Sequence, residues 1–238
     1  SFRSNPRITI ALASIALIVT MFSAFGIGAV SISPFAAFDA LASSMNIPGF
    51  GELAQPIEKS ILINVRLPRV IVGLLAGALM ALSGVLMQAF FRNPLADPAL
   101  IGVATGGAFG AVSVIVLGAT LFGGFSEQLL GALLPAAAFL GSLLACGVIF
   151  TLARQNGVVN VTTMLLCGIA VNAVAGAGIG FLSFMADDAQ LRDITFWSLG
   201  SLGAASWGHV YAIVPVALVV LVLVWFLPMS LNALLLGD

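Results

Sequence analysis

Two arginines bracket Leu67-Pro68 at the start of a long apolar run, as Arg66 and Arg69. The same run ends on a second polar group, Arg92-Asn93-Pro94-Leu95-Ala96-Asp97-Pro98. Guanidinium groups at a helix end can pair with the carboxylates of a partner or snorkel to lipid headgroups. An asparagine followed by two prolines suits a tight, non-helical link, and Asp97 before Pro98 is placed to cap the next helix. Gln88 inside this run, and Asn172 in the middle of a later one, carry amides that are costly in hydrocarbon. Each must face another helix, as an interhelical hydrogen bond, or a wet cavity, as pathway lining.

The elements that position these groups follow from composition. With 61% hydrophobic and 7% charged residues and a mean hydropathy of +1.20, the chain belongs to the polytopic membrane class. A net charge of −1 without any Lys/Arg cluster excludes a nucleic-acid surface. A span needs about 20 helical residues, and the apolar runs place six, at about 8–30, 62–90, 99–122, 130–153, 161–185 and 207–228. The reading is an all-α transmembrane bundle, one permease domain over 1–238. The first span lacks a small-residue cleavage site and is read as a retained helix.

Counting charges leaves orientation undecided. With the N-terminus inside, Arg3, Arg7, Arg92 and Arg154 are cytoplasmic, while Lys59, Arg66, Arg69 and Arg192 are outside. The Arg3/Arg7 pair beside the first helix favours an N-terminus in the cytoplasm, which makes Arg66 and Arg69 exceptions that need a functional reason. Gly73/Gly77, Gly102/Gly106, Gly106/Gly110 and Gly176/Gly180 are small-residue pairs that let helices approach closely. Pro215 lies inside the sixth span, either kinking it or tolerated there. Cys146 and Cys167 lack metal or redox spacing and read as small core residues.

The run Arg66-Leu-Pro-Arg69, then Gly77-Ala-Leu-Met-Ala-Leu-Ser-Gly84, Gln88, Arg92-Asn-Pro-Leu-Ala96, Pro98 and Gly102 resembles the permease subunits of type II ABC importers for iron chelates, haem and cobalamin. The segment Leu191-Arg-Asp-Ile-Thr-Phe-Trp-Ser-Leu-Gly-Ser-Leu202, ending in Trp207, is similar to that family's short outer helix after the fifth span. The resemblance implies a homodimer with a central pathway, two cytoplasmic ATP-binding subunits and a periplasmic substrate-binding protein, in the bacterial inner membrane. It implies that Arg66 and Arg69 dock that binding protein. It places a cytoplasmic gate at Asn93, Leu95, Val161 and Thr162, and pathway lining at Gln88, Asn172, Gly176, Gly180 and Phe184.

Alternating access would be driven by ATP on the partner subunits, since the chain has no Gly-x-x-x-x-Gly-Lys-[Ser/Thr] loop. The chain is therefore expected to be a transport subunit with no catalytic residues or resident metal. Family members have about ten spans and a cytoplasmic coupling segment. Gly237 and Asp238 stand where that segment would begin, so the sequence is expected to be a piece of a longer protein.

Thr195-Phe-Trp-Ser-Leu-Gly-Ser-Leu202 resembles haem-importing members most, which makes haem the expected cargo and ferric siderophores or cobalamin the alternative. His209 and Tyr211 are either iron ligands or interfacial side chains, and Phe181, Phe184 and Met185 either a porphyrin wall or plain packing. Rival classes fit poorly. An intramembrane serine protease needs a histidine partner near its serine, and the only histidine, His209, is at a span end. A channel needs a filter-like interruption. An ion-coupled carrier needs ionisable residues at mid-membrane, whereas Asp39, Glu52, Glu58, Glu127, Asp187, Asp188 and Asp193 fall in connections.

Overall fold

The protein's fold is given by a computed structural model that describes residues 5–51, 53–122, 127–155 and 157–226. Gly237 and Asp238 lie outside the described residues. The elements are α1 (Pro6–Gly26), α2 (Pro34–Ser44), α3 (Pro56–Ile61), α4 (Leu67–Phe91), α5 (Val103–Phe122), α6 (Glu127–Ala153), α7 (Val161–Met185), α8 (Asp188–Leu199) and α9 (Trp207–Phe226). A two-residue antiparallel ladder, β1 (Arg154–Gln155) with β2 (Val158–Val159), closes the connection from α6 to α7 around Gly157 at φ 86°.

Among the described residues, five helices are long and apolar enough to cross a membrane: Pro6–Gly26, Pro56–Phe91, Ala132–Ala153, Val161–Met185 and Trp207–Phe226. The apolar α5 stands where the third span was expected. Large apolar side chains point outward along these helices, with Ile10 66% and Trp225 81% exposed, which suits lipid as the solvent. The helix α9 continues through Pro215, and α6 through Pro135.

The second span starts earlier than the apolar run suggested, at Pro56, because a π-helical turn at Leu62–Arg66 joins α3 to α4. Pro68 explains this turn. It has no N–H for the preceding carbonyls, and its ring crowds an α-helical turn. The chain responds with a wider turn in which Leu67 N–H reaches Leu62 O, and the indole Nε1–H of Trp207 donates to Ile63 O at 3.1 Å.

The chain forms two compact units, Ser1–Leu79 with Leu202–Asp238, and Met80–Ser201. In the first, α2 is capped by Ser33 Oγ, which accepts from Ala36 N–H at 3.1 Å, and buries Ala36, Ala37 and Ala40 against Phe25, Ile32 and Leu62. Its other organiser is Asp39, a side chain only 3% exposed. Its carboxylate accepts from the N–H groups of Gly51 (2.8 Å), Leu53 (3.0 Å) and Ala54 (3.4 Å), which ties α2 to the connection that follows it.

In the second unit, α5 packs on α6 through glycine. A Cβ on Gly106 would stand 2.6 Å from Ala145 Cβ, and one on Gly110 would meet the Ala137 carbonyl, so the Gly106/Gly110 pair permits a close approach as its spacing suggested. Gly176 and Gly180 do not work this way within the described chain: nothing lies within 4 Å of a Cβ built on either. The short outer helix expected over the Leu191–Leu202 segment is α8. Asp187 caps it by accepting from Ala189 and Gln190 N–H, and Gln190 Nε2 donates to Val116 O of α5 at 3.2 Å.

Candidate functional site: an arginine pair and a clamped link

In the first unit the two arginines have different surroundings. Arg66 ends the π turn and is buried, 6% exposed. Its two Nη groups donate to the carbonyls of Phe25 and Val30. Phe25 lies in the last turn of α1, where carbonyls lack intrahelical partners and the helix dipole favours a cation. Arg69 is half-buried, and it donates from Nε to Leu202 O at 3.1 Å and from Nη2 to Gly203 O at 2.9 Å. All four acceptors are neutral, so these contacts position both guanidiniums without cancelling their charge. An apolar cleft of about 730 Å³ opens beside them, lined by Leu17, Met21, Val65, Val70 and Leu74 among others.

Placement therefore modifies the sequence expectation of a matched exposed pair. Arg66 is a structural tie between α1 and α4, and Arg69 is the member with a partly exposed surface. Proximity to acceptors 36 to 134 residues away in the chain could not be read from local spacing. Nearby, His209 Nδ1 is 2.9 Å from Ser206 Oγ, and Tyr211, 70% exposed, stacks on Trp207 with ring centroids 6.0 Å apart.

The second unit holds the link between α4 and α5. α4 terminates at Arg92, which takes a left-handed φ of 48°. Asn93 then forms an Asx turn, its Oδ1 accepting from Leu95 N–H at 2.9 Å, while Ala96 N–H returns to Asn93 O at 3.1 Å. The turn leaves Leu95 85% exposed and buries Ala96 to 7%. Asp97 does cap, but what it caps is a short 3₁₀ turn, Pro98–Ile101, by accepting from Ala99 N–H at 2.7 Å. The third span itself starts only after Gly102, whose φ of 80° redirects the chain into α5. A second proline-started turn of this kind leaves no local signature separate from a helix cap.

Val161 and Thr162 open α7, which Asn160 caps through Oδ1 accepting from Thr163 N–H at 2.9 Å. Both proposed gate segments border one apolar cluster: Ile149, Ala153 and Met164 at its centre, with Phe91 and Ile101 from either side of the first segment and Val159 from just before the second. The structure thus brings together segments far apart in sequence. The residues expected to line a pathway separate into two groups. Gln88, Gly176, Gly180 and Phe184 are exposed, Phe184 to 88%. Asn172 instead turns its amide onto the link, donating from Nδ2 to Ala99 O at 3.2 Å, and its Oδ1 is buried without a partner.

Sequence reading missed two further donors. Ser142 Oγ of α6 donates to Val103 O at 2.7 Å, and Cys146 Sγ, read as plain core, to Ile101 O at 3.3 Å. Their positions one helical turn apart on α6 were a weak signal, since an i, i+4 pair shares a face.

Apolar spanning helices with a polar, proline-bounded link define a polytopic helical membrane protein. The FecCD transport family matches residues 16–238, and the chain belongs to that family. It is 37% identical over 238 residues to the hemin transport system permease protein HmuU of Yersinia pestis, covering 99% of this chain and 66% of that protein. It is 36% identical over 190 residues to the cobalamin import system permease protein BtuC of Halobacterium salinarum, covering 80% of this chain and 48% of the relative. A solved structure of a metal-chelate type ABC transporter in an inward-facing conformation superposes with a TM-score of 0.73 at 27% identity, over 97% of this chain and 65% of that one. The chain thus spans about two thirds or less of the length of these relatives.

Proposed function

We propose that this chain is the permease subunit of an ATP-driven importer, and that its cargo is haem. The observation that carries the reading is the 37% identity to a hemin permease along 99% of this chain. The subunit is not itself an enzyme: two cytoplasmic ATP-binding subunits hydrolyse ATP, and a periplasmic binding protein delivers the cargo to a dimer of the permease. The chain lies in the bacterial inner membrane with its N-terminus in the cytoplasm, and the coupling segment that meets the ATPase starts at about Gly237–Asp238.

In this reading the arginine end of α4 faces the periplasm. Arg69 supplies charge to acidic side chains of the binding protein, and Arg66 holds that end of the helix against α1. Asn93 and Leu95, with Val161 and Thr162, form the cytoplasmic gate; the apolar cluster joined by Phe91 and Ile101, which flank the first segment, and by Val159, just before the second, supports this. The exposed face of α7 at Gly176, Gly180 and Phe184, together with Gln88, borders the pathway. A ferric-siderophore or cobalamin cargo is the alternative, supported by the cobalamin permease relative.

Uptake into proteoliposomes bearing the whole permease, its ATP-binding subunits and its binding protein tests the reading. ATP-dependent accumulation of haem is expected. Accumulation of cobalamin or a ferric siderophore instead moves the cargo to the alternative, and no ATP-dependent uptake of any of the three removes the proposal.

A further inference from the structure

Two carbonyls of the 3₁₀ turn, those of Ala99 and Ile101, and the carbonyl of Val103, the first residue of α5, each accept a side-chain hydrogen bond from a different spanning residue: Asn172 at 3.2 Å, Cys146 at 3.3 Å and Ser142 at 2.7 Å, the Ser142 hydroxyl reaching Val103 O more closely than Ala138 O of its own helix at 3.0 Å. The carbonyl between the first two, of Leu100, presses on α7 at Gly168, where any Cβ would meet it. Backbone carbonyls inside a short 3₁₀ turn need no such set of partners from two other helices. The donors come from α6 and α7, so the link is held on two sides.

Asn172 shows that this clamp serves position more than stability. One polar atom of its amide is bonded and the other is buried unpaired, so the gain from the first is offset by the desolvation of the second. An apolar side chain of the same size would hold the fold about as well. What it could not do is specify which carbonyl of the link sits opposite this turn of α7.

We infer that Asn172, Cys146 and Ser142 are positioning residues that fasten the 98–103 link to α6 and α7, so that the gate segments at Asn93–Leu95 and Val161–Thr162 move as one body. The inference rests on the gate reading above and deepens it: opening must carry both segments together, since sliding the link along α7 would break the Asn172 bond and drive Leu100 O past Gly168, and sliding it along α6 would break the bonds from Cys146 and Ser142. The permease therefore opens by displacing this clamped group as a whole.

The test places spin labels at Leu95→Cys and Thr162→Cys in the assembled whole transporter, with Cys146→Ser and Cys167→Ser as background and labelled chains diluted with unlabelled ones so that distances within one chain are read. Serine keeps a donor at position 146. One narrow distance distribution is expected, unchanged between the nucleotide-free and ATP-trapped states. Adding Asn172→Leu and Ser142→Ala should broaden or split it, while Ser142→Thr, which keeps the hydroxyl, should restore the narrow form. A Leu95–Thr162 distance that shifts between states without the clamp substitutions would overturn the inference, as would a distribution untouched by removing both donors. ATP-driven uptake measured on the same preparations reports on the permease reading separately.

Discussion

Arg66 and Gly28 share one small volume: a Cβ added to Gly28 would stand 2.6 Å from Arg66 Nη2 and 3.1 Å from its Cζ. The guanidinium is pinned there by the carbonyls of Phe25 and Val30, so it cannot swing aside without leaving an acceptor. Glycine at position 28 is thus the counterpart of a buried arginine, and together they fasten the end of α1 to the start of α4.

Gly28→Ala should destabilise the protein by about 1–3 kcal/mol, the usual cost of overpacking a filled site. Thermal unfolding in detergent checks this, with Gly77→Ala as the control because no described residue lies within 4 Å of a Cβ built there. Equal melting temperatures for the two variants would mean that Arg66 has slack the geometry does not show.

Charge reversal at Arg69 tests docking with less cost to the fold than at Arg66, because Arg69 is half-buried and Arg66 is buried, and Arg69→Gln, which removes the charge without reversing it, controls for the lost bonds to Leu202 O and Gly203 O. Arg69→Glu should slow association of the periplasmic binding protein by on the order of tenfold at low salt, with the difference shrinking as ionic strength rises. Stopped-flow or surface-binding kinetics on the solubilised transporter measure it. An unchanged rate at low salt would leave headgroup contact as the role of this side chain.

Asp39 predicts a pH dependence. The N–H of Gly51 is the largest influence holding its carboxyl below the usual range; burial opposes it, and the N–H groups of Leu53 and Ala54 and the Lys59 ammonium add to the lowering. A carboxyl whose folded value is depressed stabilises the fold above its unfolded value, about 3.9, and loses that contribution as pH falls through the folded value below it. Unfolding temperature should therefore drop as pH falls below about 4, and Asp39→Asn should be less stable at neutral pH with a flatter acid limb. Parallel acid limbs for the two proteins would count against this role.

How much was legible beforehand differs by residue. Val161 and Met185 bound α7 where the apolar run was expected to start and stop, because hydropathy and helix length act along the local chain. The Gly106/Gly110 pair was legible for the same reason, as four residues place both on one face. The start of the second span was not, since Pro68 acts backwards on a turn that the apolar pattern does not mark. Asp97 was read correctly as a cap but assigned to the wrong element, because a 3₁₀ turn and an α-helix start with the same residues.

The sequence by itself determined that this protein is a bundle of apolar helices, where those helices lie, and that its polar residues gather at helix ends and in one proline-bounded link. Its motifs also pointed to the family. Only the tertiary structure decided which of those polar groups are spoken for. In the chain Arg66 looks like a surface residue and Asn172 like either an interhelical donor or pathway lining; each is turned onto a backbone carbonyl far away in sequence, 41 and 73 residues off. In a low-dielectric interior a polar group must find a partner. Local spacing states that need, and the packing of distant segments supplies the carbonyl that meets it.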